Sequence, residues 1–149
     1  MANGIRKRDL IRDIGKYAEA FSPVHIQSAW DASPAKAMQL ILLDTAYMAV
    51  DLKTWKKILQ YSSINQAQYI ADVRDCDDFS FALRGSLPIK LGFNGIGCVV
   101  DWSSAHAYSA LLVVDSNKKL KMAFVEPQSD RMVVADTPMY EMDSGFAIF

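Results

Sequence analysis

Apolar residues recur at intervals of three and four positions through the first half of the chain. Leu10, Ile14 and Tyr17 follow this spacing, which predicts an amphipathic helix at the start of the sequence. Ser33 followed by Pro34 is typical of a helix start, and so is Asp51 before the next apolar repeat. The predicted helices span residues 4 to 21, 34 to about 47, a segment that begins near 51, and 75 to 84 or 85.

The pattern changes after Gly92, where short runs of valine, glycine and aromatic residues replace the helical spacing. Such runs, separated by turn-forming segments such as DSNKK and EPQSD, are typical of strands. Helices followed by strands indicate an α+β fold, with the N-terminal helices packed on one side of an antiparallel β-sheet. A length of 149 residues predicts a single domain. The predicted strands span residues 96 to 101, 105 to 115, 119 to 126, 131 to 135 and 145 to 149.

Charge and hydropathy argue against two classes of partner. The chain has 16 basic and 17 acidic residues and a net charge of -1, so no overall field favours nucleic acid or an anionic membrane. No apolar run is long enough for a signal peptide or a membrane span. The two cysteines form neither a disulfide framework nor a metal-binding pattern, which favours a reducing compartment. The sequence therefore predicts a cytoplasmic protein with no cofactor and no metal, which binds neither nucleic acid nor membrane.

Candidate chemistry begins with the stretch RDCDDFSFAL, which places Cys76 at the start of the fourth predicted helix. The helix macrodipole and the unpaired amides at that end favour a thiolate, whereas Asp75, Asp77 and Asp78 oppose it. The same acids are suited to cap the first amides of the helix. A nucleophilic thiol also needs a histidine that takes its proton. Of the two histidines, His106 is the better candidate because it opens a predicted strand.

The hairpin that follows His106 supplies a group able to orient the imidazole. With a loop of three or five residues, position 106 opposes position 128, and His106, Glu126 and Gln128 share one face of the sheet. With a two-residue loop, Glu126 turns to the opposite face and the arrangement fails. Glu126 is therefore the predicted partner of His106, and Asp101 is the alternative.

Taken together, the segments DCDDFSFAL, AHAYSALLVVD and FVEPQSD resemble the cysteine, histidine and acid segments of transglutaminase-like and papain-like cysteine enzymes. They are similar to small phage and bacterial proteins with a DCDDF…H…EPQ pattern. The resemblance covers about residues 52 to 135, and it implies a cysteine-enzyme core over residues 51–149 with an N-terminal helical extension over residues 1–50. It implies Cys76 as nucleophile, His106 as general base and then acid, and Glu126 as the orienting acid.

The activity implied by this resemblance is acyl transfer. A cysteine peptidase-like hydrolase or a transglutaminase-like transferase would act on an amide or ester of a peptide, protein or small acyl substrate. If the chain is phage-encoded, the expected location is the host cytoplasm. The residues expected to support the site or to supply an oxyanion hole are Gln128, Gln68, Tyr69, Asp78 and Trp102.

Two other interpretations remain open at this stage. In the first, the chain is a catalytically inactive homologue that binds a protein or small ligand in the groove above Cys76, as an accessory protein of a phage would. In the second, the aspartates around Cys76 join His106 and Glu126 in a divalent-metal site. The sequence predicts no oligomeric state.

Overall fold

The computed structural model describes residues 4–149. Four α-helices lie in this range: α1 (Lys7–Tyr17), α2 (Pro23–Asp31), α3 (Leu52–Ser62) and α4 (Cys76–Leu91). A short 3-10 helix, Ile64–Gln66, follows α3. The strands of the same range are β1 (Glu19–Phe21), β2 (Gln39–Ile41), β3 (Tyr47–Ala49), β4 (Ile96–Asp101), β5 (His106–Val114), β6 (Leu120–Glu126), β7 (Arg131–Met132) and β8 (Gly145–Ile148).

Six of these strands form one mixed sheet in the order β2-β8-β4-β5-β6-β7. Strand β2 runs parallel to β8 at one edge, and the other neighbours are antiparallel. Strands β1 and β3 pair with each other in a separate two-stranded ribbon. The prediction of helices followed by an antiparallel sheet was therefore wrong, since strands alternate with helices before residue 50 and the sheet contains a parallel pair.

Two of the predicted helices give way to extended backbone. The first helix ends at Tyr17 because Ala18 turns to φ -71° and ψ 139°, and β1 then pairs with β3. The predicted helix from 34 to about 47 is absent from the described chain. The Ser33 hydroxyl donates to the Trp30 carbonyl at 2.7 Å and closes α2, and β2 lies beside β8. The apolar residues of this segment therefore lie in a turn and in an edge strand instead of a helix.

The later helices follow their sequence signals more closely. The Asp51 carboxylate accepts a hydrogen bond from the Thr54 amide at 2.6 Å and caps α3, as predicted. Helix α4 starts at Cys76 but continues six residues beyond Gly85, to Leu91. Its extension is stabilised by buried Leu87, and it ends where Gly92 adopts a left-handed conformation with φ 64°.

Helices lie on both faces of the sheet, not on one face as predicted. Leu111 and Leu112 are neighbours in β5 and pack into two different apolar clusters. Leu112 joins the cluster that contains Trp30 of α2, and Leu111 joins the cluster that contains Trp55 of α3 and Leu87 of α4. Within residues 4–149, no helix combines the length and the hydropathy needed to cross a membrane.

Candidate functional site: a pocket beside the central hairpin

The hairpin of β5 and β6 positions the histidine and the acid that the sequence singled out. Its register pairs Ser109 with Val125 and Val114 with Leu120, so position 108 lies opposite position 126. This is the register expected for a loop of three or five residues, and here the loop covers residues 115–119. The Asp115 carboxylate accepts hydrogen bonds from the backbone amides of residues 117 and 119, at 2.8 and 3.0 Å, and fixes the turn.

His106 and Glu126 are in direct contact at the open end of this hairpin. The His106 Nε2–H donates to Glu126 Oε2 at 2.7 Å, since a carboxylate only accepts. The two side chains are 13% and 12% exposed, so the contact is largely shielded from water. The other oxygen, Glu126 Oε1, is buried with no hydrogen-bond partner among residues 4–149. The donors therefore converge on Oε2.

Tyr140 is a member of this site that the sequence analysis missed. Its hydroxyl donates to Glu126 Oε2 at 3.1 Å, and its ring lies 5.6 Å from the imidazole of His106, centre to centre. Burial and the neighbouring Glu126 carboxylate raise the pKa of Tyr140 to about 12. Tyr140 lies in an irregular segment, where no periodicity relates it to the hairpin. The sequence gives one indirect indication of such a residue, since the Glu126 carboxylate on an apolar strand face needs hydrogen-bond donors.

Asp101, the alternative partner for His106, is fully occupied elsewhere. It is 1% exposed, and its oxygens accept hydrogen bonds from hydroxyls and backbone amides that tie the β4–β5 turn to the C-terminal segment. Burial alone would raise the pKa of Asp101, but these hydrogen bonds outweigh it and lower that pKa. Its role is therefore structural. The donors are Ser103, Ser104, Tyr108 and Met142.

Cys76 is the first residue of α4 and lies beside the start of β5. The backbone amide of Ala107, the residue after His106, approaches its sulfur. Burial raises the pKa of the Cys76 thiol, the Ala107 amide opposes that rise, and the carboxylates of Asp75 and Asp77 add to it. The net shift is upward, which is the opposite of the change that activates a nucleophilic cysteine. Burial is the main cause of this rise, and the acidic flank adds to it.

The aspartates next to Cys76 interact with one another and with the helix start. The Asp75 backbone amide donates to Asp78 Oδ2 at 3.2 Å, so Asp78 serves as a capping residue. The pKa of Asp77 is raised, mainly by its hydrogen bond with the Asp75 carboxyl and in addition by burial. Within residues 4–149 the ligand atoms of Asp75, Cys76 and Asp77 lie within 4.8 Å of one another, but His106 and Glu126 are not part of that group.

The remaining predicted residues are spread around the site. Gln68 and Tyr69 lie in the segment before α4, where the Gln68 carbonyl accepts from Arg74 Nη1 at 3.2 Å and Tyr69 is 52% exposed. Trp102 is 65% exposed in the β4–β5 turn, with its ring 5.9 Å from that of Phe146. Gln128 lines the same pocket as His106, and these three residues are not part of that lining.

A pocket of about 370 Å³ opens where β6 and β7 meet the C-terminal segment. We call it the hairpin pocket and define it by His106, Glu126, Gln128, Arg131 and Tyr140. Part of its rim is apolar, and Cys76 does not line it. The exposed apolar side chains of the rim are Met132, Val134 and Met139.

Comparison with known proteins supplies fold neighbours only. Neither a family model nor a curated protein matches the chain. One similar solved structure is described as a PSL1a–E64 complex, with a TM-score of 0.67 and 21% identity over 87% of this chain and 51% of that one. Another is Polyporus squamosus lectin bound to Neu5Aca2-6Galb1-4GlcNAc, with a TM-score of 0.66 and 19% identity over 87% of this chain and 49% of that one. The chain spans about half the length of these proteins.

These fold neighbours correct the predictions made from the family resemblance. The predicted transglutaminase-like or papain-like fold was wrong, because the fold is shared with structures described as a lectin and a PSL1a complex. The predicted acyl transfer, and with it the cysteine peptidase, transglutaminase and hydrolase assignment, was wrong for the same reason. The raised pKa of Cys76 agrees with that correction. The resemblance rested on three short segments, and their order alone does not determine a fold.

Proposed function

We propose that the chain is a non-catalytic binding domain that takes a small polar ligand of carbohydrate type in the hairpin pocket. The observation that carries the proposal is the convergence of polar side chains on one concave site. A volume of about 370 Å³ falls in the range of small-ligand pockets, about 300 to 1,000 Å³. Hydroxyl, amide and guanidinium groups line this pocket beside an apolar rim, which suits a ligand with many hydroxyls and apolar C–H faces.

The internal contacts of the pocket support a binding role. Glu126 holds both His106 and Tyr140 through one oxygen, so three polar side chains are fixed before any ligand arrives. A preorganised pocket loses less conformational entropy on binding than a mobile one. The thiol of Cys76 lies outside this pocket, and its raised pKa favours the protonated, unreactive form at neutral pH.

The fold neighbours support carbohydrate as the first class of ligand to test. The lectin among them is described in complex with a sialylated trisaccharide, Neu5Aca2-6Galb1-4GlcNAc. This chain matches 49% of that lectin, so the glycan specificity of the whole protein is not transferred. What is transferred is a starting panel of sugars that contain sialic acid, galactose and N-acetylglucosamine.

Ligand-observed NMR with this panel tests the proposal. Glu126→Gln keeps the size of the side chain but removes the charge that holds His106 and Tyr140, and we expect affinity to fall about tenfold. Glu141→Gln is the matched control, because Glu141 is exposed and it is its backbone amide, not its side chain, that donates to the Ser104 hydroxyl. The proposal would be overturned if no sugar of the panel showed saturation transfer. It would also be overturned if Glu126→Gln and Glu141→Gln changed the affinity equally.

A further inference from the structure

Arg131 lies across the strand pair from a glutamate without forming an ion pair with it. In the β6–β7 ladder it lies directly opposite Glu126. Opposite charges in such cross-strand positions usually attract each other. Here, the oxygen of Glu126 that accepts hydrogen bonds is already occupied by His106 and Tyr140. Among residues 4–149, no carboxylate lies within ion-pair distance of the Arg131 guanidinium.

The hairpin pocket therefore contains a cation without a protein counterion. Arg131 is exposed and lines the pocket, so its guanidinium is open to a ligand. A guanidinium presents a planar fork of N–H donors that matches the two oxygens of a carboxylate. Ser129 and Thr137 add hydroxyl groups to the same wall. Glu126 lies in the same pocket, where its Oε2 accepts hydrogen bonds from His106 and Tyr140 and is not within ion-pair distance of Arg131.

We infer that Arg131 is the specificity residue of the hairpin pocket and that it selects sugars that bear a carboxylate. This inference rests on the proposed binding function and refines it from polar saccharides to acidic saccharides. The carboxylate pairs with the guanidinium, while the sugar ring lies toward Gln128 and the apolar rim. Met132 and Val134 offer that rim apolar surface for the C–H face of a ring.

An acid and its methyl ester form the test, because esterification removes the charge and changes little else. We use the methyl glycoside of N-acetylneuraminic acid and its methyl ester, titrated against the full chain and followed by NMR. The acid is expected to bind about tenfold more tightly than the ester at low salt, and the preference falls as salt is added. Arg131→Gln is expected to remove that preference and leave ester binding unchanged, and Arg131→Lys to restore part of it.

Arg8→Gln is the matched control, since Arg8 is exposed on α1 and the substitution makes the same change in net charge. Equal binding of acid and ester, or an Arg131→Gln variant that weakens both equally, would overturn the role of Arg131 and leave the binding function intact. Binding of neither compound, while a galactose or N-acetylglucosamine sugar of the panel still binds, would overturn the inference alone, and binding of no sugar of the panel would contradict the proposed function itself. A sugar phosphate that binds as tightly as the acid would contradict selection for a carboxylate. A thermal melt of each variant confirms that it is folded.

Discussion

Individual side chains show which contacts a local pattern can predict. The pairing of His106 with Glu126 was predicted for a hairpin loop of three or five residues, and the five-residue loop of the structure meets that condition. Tyr140 and Arg131 could not be found in the same way. Tyr140 reaches Glu126 from an irregular segment, and the importance of Arg131 depends on which partners have already occupied that carboxylate.

Removing the Tyr140 hydroxyl tests its contact with Glu126. Tyr140→Phe leaves the ring in place but removes a donor to a largely buried carboxylate, so we expect a loss of about 1 kcal/mol in the free energy of unfolding. Ligand affinity should fall together with stability. Urea denaturation measures the loss, with Tyr17→Phe as control because Tyr17 is 43% exposed. An unchanged midpoint for Tyr140→Phe would show that the hydroxyl contributes nothing.

Asp101 provides a prediction about acid stability. The pKa of Asp101 is lower in the folded chain than in the unfolded chain, so the ionised carboxylate stabilises the fold at pH values above the unfolded pKa. This stabilisation begins to be lost below about pH 4 and disappears as pH falls through the folded pKa. Asp101→Asn is expected to cost about 2 to 3 kcal/mol at neutral pH, because several buried donors lose their acceptor. The difference from the parent should shrink in acid. Denaturation curves from pH 3 to 7 measure it, and an equal difference at every pH would contradict the shift.

The thiol of Cys76 gives a chemical prediction at the same scale. Since burial and two aspartates raise its pKa, labelling by iodoacetamide at pH 7 should be slow and should accelerate as pH approaches 9. His106→Ala should leave the rate unchanged. Intact-mass spectrometry follows the reaction. Rapid labelling at neutral pH that disappears in His106→Ala would contradict a non-catalytic role.

At the scale of elements, local signals succeed where packing agrees with them. The Asp51 cap marks α3 correctly, because its carboxylate finds the amide it needs within the same turn. Helix α4 was predicted to end at residue 84 or 85, but burial of Leu87 and Leu91 extends it. The segment 39–41 has helical apolar spacing but forms a strand, since its backbone pairs with β8.

Replacement of glycine by alanine is expected to have opposite effects at two positions, Gly145 and Gly85. Gly145 has φ 135°, and an added Cβ would overlap the Val100 carbonyl oxygen, so Gly145→Ala should break the β4–β8 pairing at a cost of about 3 kcal/mol. Gly85 lies inside α4, where an added Cβ would have no atom within 4 Å apart from its chain neighbours and the adjacent backbone of the helix, and Gly85→Ala should stabilise the chain by about 0.5 to 1 kcal/mol. Thermal melts of both variants test this, and shifts of the same sign would contradict it.

At the scale of the whole molecule, the sequence predicted helices and strands but not their arrangement. The mixed sheet depends on β2 lying next to β8, a pairing between distant parts of the chain that no local pattern specifies. Helices on both faces follow from that arrangement and from the alternation within β5. The prediction of a cysteine enzyme that performs acyl transfer was wrong at this scale as well. The three motifs occur in the expected order, but on a fold shared with structures described as a lectin and a PSL1a complex.

The most direct test of a binding role is an NMR titration of the ¹⁵N-labelled chain and of Cys76→Ser with N-acetylneuraminic acid. We predict the same shifts in both proteins, concentrated at Gln128, Arg131 and Tyr140, with the sugar recovered unchanged. A binding pocket that excludes Cys76 requires this result. Shifts centred on Cys76 and absent from Cys76→Ser, or no shifts in either protein, would contradict the account.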